Sequence, residues 1–197
     1  MTKAEWISVI KNTIKQGDET GLTRAPFIER HIQSVYEQMY NELYRQSPRE
    51  IWNYVQDVSQ SFVLESTDLS DGVTLTTIPI NLPRNGGGLF RVTSLTVPAD
   101  TYVITNKQGY ENLDDTLFDT AGLKGQYVGY LAGSKFYANN TITAPHTLIF
   151  SMIPKFTSLS TTDEVMIPGG MEDHFIDRVI MTIKQSPPVI DQLNDNA

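Results

Sequence analysis

Apolar residues recur on a helical period at both ends of the chain and on a two-residue period through much of its middle. Trp6, Ile7, Ile10 and Ile14 share one face of a helix expected over residues 3–16. Thr2 and Glu5 have the spacing of a capping box, in which a hydroxyl and a carboxylate satisfy orphan N–H groups at a helix start. Lys15 suits the negative end of the helix dipole, and Gly17 can end the helix. A loop over 17–25 leads to Pro26 in a first-turn position. Ile28, Ile32, Val35, Met39 and Leu43 then keep helical spacing, with Phe27, His31 and Tyr36 broadening the face, until Ser47-Pro48 stops the helix. A third such stripe is Phe175, Ile176, Val179, Ile180 and Ile183, in a helix expected over 171–184 between Pro168-Gly169-Gly170 and Ser186-Pro187-Pro188.

Between these helices the pattern is that of strands. Ser47 and Glu50 offer a second capping box. Ile51, Val55, Val58 and Phe62 fit a helix, whereas residues 59–64 alternate as a strand does. We read a helical turn at 48–52 and then a strand into Glu65. Residues 73–78 alternate, are Thr-rich and read as a strand whose end Pro79 and Pro83 keep off a central ladder. Asn85-Gly86-Gly87-Gly88 reads as a flexible turn. Residues 90–97 and 102–105 are further strands, 127–131 and 135–137 a hairpin, and 147–153 a buried strand. Residues 106–125, with Asp114, Asp115 and Asp119, read as a long acidic loop with one helical turn.

The expected fold is therefore α+β. The N-terminal helices and the C-terminal helix form a small helical bundle (residues 1–52 with 168–185), into which an antiparallel β-lobe (53–167) is inserted. An extended C-terminal arm (186–197) follows. The economy of that arrangement is that the last helix covers its apolar face with the matching stripes of the first two.

Composition narrows the function more than the fold. The chain has 197 residues, enough for one sizeable core or two small lobes. Charged residues make up 19%, below the usual proportion, and the deficit is filled by Thr, Ser, Asn and Gln. The net charge of −8 disfavours a nucleic-acid grip, which lines Lys and Arg against phosphates. With no cysteine there is neither a disulfide framework nor a thiolate metal site. The first residues lack a signal-peptide pattern and no apolar run is long enough for a membrane span, so a soluble protein made in a cytoplasm is expected.

Each candidate for chemistry has a simpler reading. Gly86-Gly87-Gly88 lacks the Gly-Lys-Ser/Thr ending of a phosphate loop, and Leu89-Phe90-Arg91 follows instead. Asp68, Asp71 and Gly72 lack the ligand spacing of a calcium loop and read as a turn. Asp114, Asp115 and Asp119 have the residue type of a glycosidase pair or metal site but suit a solvated loop. His31 and His174 lie on two helices that can approach each other, and His146 stands apart. A zinc site needs more ligands than that, and no nucleophile elbow accompanies any of the three. Asn139-Asn140-Thr141 is a sequon without a secretory signal. Trp52, Tyr54, Tyr102, Tyr127 and Tyr130 suit core and subunit contacts better than a sugar platform. No catalytic residue, cofactor or metal is expected. The arm differs from all of these. Pro187 and Pro188 favour an extended chain. Val189, Ile190 and Leu193 are apolar anchors among Asp191, Asn194 and Asp195; a disordered tail is the plain reading and a segment that orders on a partner's surface the sharper one, because a purely solvated tail gains nothing from those side chains.

In pattern, the chain resembles the head-to-tail adaptor, or collar ring, proteins of short-tailed bacteriophages, including the ring proteins of crAss-like phages. The resemblance rests on the Glu- and Gln-rich helix from Phe27 to Arg45, the strand from Thr147 to Pro154, the Ile167-Pro168 step into the last helix, and the tail from Pro187-Pro188 to Asn194-Asp195. It covers residues 27–58 and 147–197 and reaches the middle only in architecture. It implies a structural, non-enzymatic virion protein of the neck. Such a protein forms a homo-oligomeric ring of about twelve copies, with a different patch on each side of every subunit. The ring binds the portal protein above and the next tail protein below, and DNA passes through its channel without specific binding. The arm residues Pro187, Pro188, Val189, Ile190, Leu193, Asn194 and Asp195 are the expected partner contacts. The alternatives are a stopper or tail completion protein and, from another class, a small carbohydrate-binding or hydrolytic β-protein using the Asp114–Asp119 loop.

Overall fold

The structure is a computed structural model that describes residues 1–15, 25–62, 67–95, 101–111, 127–142 and 145–186. Its class is α+β, with four α-helices and a curled seven-stranded sheet among the described residues. The chain gathers into two compact units, residues 1–39 with 159–197 and residues 40–158.

The first unit contains helix α1 (Lys3–Lys15), the start of α2 (Ala25–Gln46) and α4 (Glu172–Gln185). The capping box forms as its spacing predicts: Thr2 N donates to Glu5 Oε2 (2.7 Å) and Glu5 N to Thr2 Oγ1 (3.3 Å). These bonds hold the Glu5 carboxyl below the usual carboxylate range. Trp6, Ile10 and Ile14 are buried, as are Ile28, Ile32 and Val35 of α2 and Phe175, Val179 and Ile183 of α4. Trp6 meets Phe175 edge to face, with ring centroids 5.2 Å apart.

A strand-like stitch absent from the sequence reading also joins the chain's beginning to residues 161–165. Lys3 N donates to Asp163 O, Ala4 N to Thr161 O and Val165 N to Met1 O. Lys3 is itself buried, an uncommon place for lysine. Its ammonium is satisfied by Glu29 at 3.3 Å and by the Leu159 carbonyl at 3.0 Å.

The second unit is built on one sheet of order β1-β9-β4-β5-β6-β7-β3. Its strands are β1 (Gln56–Phe62), β3 (Val73–Thr74), β4 (Leu89–Ser94), β5 (Thr101–Thr105), β6 (Tyr127–Ala132), β7 (Lys135–Ala138) and β9 (His146–Met152). A separate two-stranded ladder joins β2 (Thr67–Asp68) to β8 (Thr141–Ile142). Val58, Val92 and Phe150 sit in one register row across β1, β4 and β9, on the face that packs with Tyr102, Phe136 and Leu148.

Three expectations are corrected here. The sheet is mixed and not wholly antiparallel, because β5 and β6 run parallel (Tyr102 beside Tyr127 through Thr105 beside Tyr130), joined by a crossover that includes the short helix α3 (Lys107–Glu111). The strand expected over 73–78 pairs only at Val73–Thr74. Beyond it Leu75 N donates to Ser134 O, and the chain bends toward Pro79. At the proposed second capping box, Glu50 N donates to the Ser47 carbonyl and opens a 3-10 turn (Glu50–Tyr54).

The curl of the sheet brings its two edge strands within reach of one side chain. Gln60 of β1 donates through Nε2 to Thr74 O (3.0 Å) and accepts from Thr76 N (3.3 Å). Its carboxamide thus replaces a backbone pair between strands that do not otherwise ladder, and covers part of the β1 edge. Replacing Gln60 by alanine is expected to cost about 1–2 kcal/mol, read as a lower urea midpoint. Gln60→Glu should cost at least as much, because a carboxylate then faces the Thr74 carbonyl. Midpoints unchanged in both variants would mean that the two bonds do not hold the seam.

Candidate functional site

The residues singled out in the sequence divide into those the structure explains and those that lie outside it. The arm residues Pro187, Pro188, Val189, Ile190, Leu193, Asn194 and Asp195 lie outside the described residues, and so do Asp114, Asp115 and Asp119.

The histidines stay apart. His31 is 4.4 Å from the Phe27 ring and its Nε2 is 3.4 Å from Ser186 Oγ, at the end of α4. His174 is exposed in the first turn of the same helix, twelve residues (186 − 174) or about 18 Å earlier along its axis. Burial and nearby Arg30 lower the His31 pKa from its ordinary value. His146 Nε2 is 2.9 Å from Ser94 Oγ. That serine is buried and lies within β4, out of a substrate's reach. No group of three or more His, Asp or Glu suited to a metal ion occurs among the described residues.

Asp68 behaves as a turn residue. Its carboxylate accepts from Ser70 N at 2.9 Å, and that bond holds its pKa below the usual range. The sequon asparagine Asn139 spends its side-chain oxygen on Val128 N. The aromatic residues are mainly internal. Tyr102 stacks on Tyr127 and meets Phe136 edge-on, and Tyr54 packs on Tyr40. Tyr130 lies between Tyr137 (4.9 Å, near-parallel) and Tyr110 of α3 (4.8 Å). Trp52 is the exception, half exposed beside Phe90.

A cleft missed by the sequence reading lies in the β unit. It has a volume of about 440 Å³ and is bounded by residues 79–81, the turn 84–87, Asn106-Lys107 at the start of α3, Leu131 and Gly133 of the β6–β7 hairpin, and Lys155 just after β9. The glycine-rich turn that forms one wall is closed by its own hydrogen bonds. Gly86 and Gly87 adopt φ of +79° and +56°, conformations that strain any other residue. Gly87 N donates to Arg84 O, Gly88 N to Ile80 O and Leu89 N to Gly86 O. Those three N–H groups are committed internally, so the turn does not make the backbone cradle of a phosphate loop.

Among the described residues three cations line the cleft and no carboxylate does, in a protein of net charge −8. Arg84 donates through Nη1 to Leu89 O (3.3 Å) and lies 4.2 Å from the centre of the Phe90 ring. A register shift in β4 between Leu89 and Arg91 singles out Phe90, whose ring then packs between Trp52 and the guanidinium. Burial lowers the Arg84 pKa, and Tyr44 acts in the opposite sense. Lys107 pairs with Glu111 at 3.5 Å on the exposed rim. Lys155 is half-buried, and its ammonium has no hydrogen bond or ion pair among the described residues. The floor is fixed by Ile80 N to Ile153 O, Ile153 N to Gly88 O and Lys155 N to Ile78 O.

No helix among the described residues is long and apolar enough to cross a membrane. Neither a protein-family model nor a curated protein nor a solved structure matches the chain.

Proposed function

We propose that the chain is a structural assembly protein, a head-to-tail adaptor of a tailed-phage neck that forms a ring between the portal and the tail. The observation that carries this reading is the division of the chain. The described residues up to Met39 gather with those from Leu159 to Ser186, while the described residues between Tyr40 and Ser158 build a separate sheet unit. One chain thus offers two structurally different surfaces, as a subunit needs when it holds one partner above, another below and a copy of itself on either side. The helical unit, read as a small bundle of α1, α2 and α4, is the portal-facing part. It hands the chain at Ser186 to the proline-led arm that engages a neighbour. The sheet unit faces the next tail component. The acidic balance suits a channel wall that lets DNA slide. The neck of the virion is the proposed location.

Mixing the purified chain with portal particles and imaging the product by cryo-electron microscopy is expected to give a closed ring around an axial channel. Deleting residues 189–197 should leave the melting temperature within about 2 °C of the full chain and abolish ring formation, because the arm acts between subunits and not within one. A full chain that stays monomeric with portal present would overturn the adaptor reading. A deletion that unfolds the monomer would instead place the arm in its own core.

A further inference from the structure

We infer that the cleft of the β unit docks an acidic peptide segment of a partner chain, through carboxylates paired with Lys155 and Arg84. The inference goes beyond the adaptor reading and does not depend on it. Lys155 is half-buried with no partner for its ammonium among the described residues, which leaves it available to a ligand carboxylate. Arg84 has one N–H on Leu89 O and is fixed by its stack on Phe90. The rest of its donor fork is pre-organised for a carboxylate in a way a solvated arginine is not.

The ligand class follows from what else borders the space. A phosphate is usually held by a nest of free backbone N–H groups, and here the N–H groups of Gly87, Gly88 and Leu89 are spent on internal carbonyls. The cleft offers instead the side chains of Asn81 and Asn85, which both donate and accept and so match a peptide backbone. Asn85 already accepts from Asn106 Nδ2 at 3.2 Å, which orients its amide. Leu131 and Ile80 supply an apolar wall for the side chain between two acidic ones. At about 440 Å³ the space holds several residues of extended chain and is far larger than an inorganic anion requires. The carboxylate of Glu111 is already engaged by Lys107 at the rim, so the neighbouring acid does not neutralise Lys155 or Arg84.

The test uses the 197-residue chain and a fluorescent hexapeptide of alternating Asp and Val, followed by anisotropy at about 50 mM salt. Saturable binding is expected, weakened at least tenfold by Lys155→Gln and unchanged by Lys184→Gln, which removes an exposed lysine of α4. The same peptide with Asn for each Asp should not bind. Circular dichroism on both variants checks that each is folded. The proposal is overturned by an absence of saturable binding, by equal loss in the two lysine variants, or by equal binding of the Asn peptide. Inorganic phosphate that displaces the peptide at equal or lower concentration would assign the cleft to phosphates and likewise overturn it.

Discussion

Replacing Trp6 by alanine is expected to destabilise the helical unit by about 3–5 kcal/mol, the range for emptying a fully packed aromatic site. Trp6 is 2% exposed and Phe175 is wholly buried, and the two rings meet at 5.2 Å. Either residue truncated leaves a void between helices from opposite ends of the sequence. Trp6 also carries a cost of its own, since its indole N–H is buried without a hydrogen-bond partner among the described residues. Trp6→Phe keeps most of the packing and removes that donor, so it should cost at least 2 kcal/mol less than Trp6→Ala. Urea melts followed by circular dichroism at 222 nm report the helices. Trp52, half exposed in the other unit, remains as a fluorescent reporter of the sheet. If Trp6→Ala shifts stability by less than about 1 kcal/mol, the contact does not hold the helices together.

Gly129→Ala is expected to be nearly as damaging to the sheet, at about 3 kcal/mol. A methyl group at Gly129 meets Phe136 Cζ at 2.5 Å and the Tyr137 backbone oxygen at 2.8 Å, both too close to accept. The backbone oxygen belongs to β7, which is paired with β6 here, so relief requires the hairpin to splay or Phe136 to leave its site. Phe136 cannot leave cheaply. It is wholly buried and packs edge-on against Tyr102 and Phe150 at 5.7 Å and 5.5 Å. Phe136→Leu alone should cost about 1–2 kcal/mol by underfilling the core, yet combined with Gly129→Ala it makes room for the new methyl. The double variant should therefore be more stable than the sum of the single losses predicts, by about 1 kcal/mol or more in thermal or urea melts. Strict additivity would show that the Tyr137 oxygen, and not the Phe136 ring, is the obstacle.

The helices were legible because their signals are local. A stripe at 3.6-residue spacing, a Thr2–Glu5 box and a proline stop each act within a turn or two, and the ends of α1, α2 and α4 fall within two residues of the expectation. The strands β4, β5, β6, β7 and β9 were also expected, from short apolar runs bounded by turn residues. Their partners were not. Nothing within β5 or β6 records that Tyr102 lies beside Tyr127 in parallel, because register depends on faces that only the assembled sheet defines. The cleft was hidden for the same reason. Arg84 follows a proline in a turn, Lys107 opens a short helix and Lys155 lies just past a strand, three ordinary cations until the sheet curls. The glycine triplet was seen as a turn, but its order comes from Ile80 and Arg84, whose carbonyls take up its N–H groups.

The stitch between the first residues and residues 159–165 has a consequence for the order in which the protein is made. Helix α1 leaves the ribosome before the rest of its unit, yet its Lys3 finds Leu159 and its Trp6 finds Phe175 only once residues 159–175 have followed. The sheet unit, whose residues 40–158 are all synthesised earlier, can settle while α1 still waits. Completion of the helical unit then depends on α4 having been made. A nascent chain cut short before α4 keeps Trp6 and its apolar stripe uncovered, a form that proteases and chaperones recognise. Only a chain that includes α4 completes the helical unit.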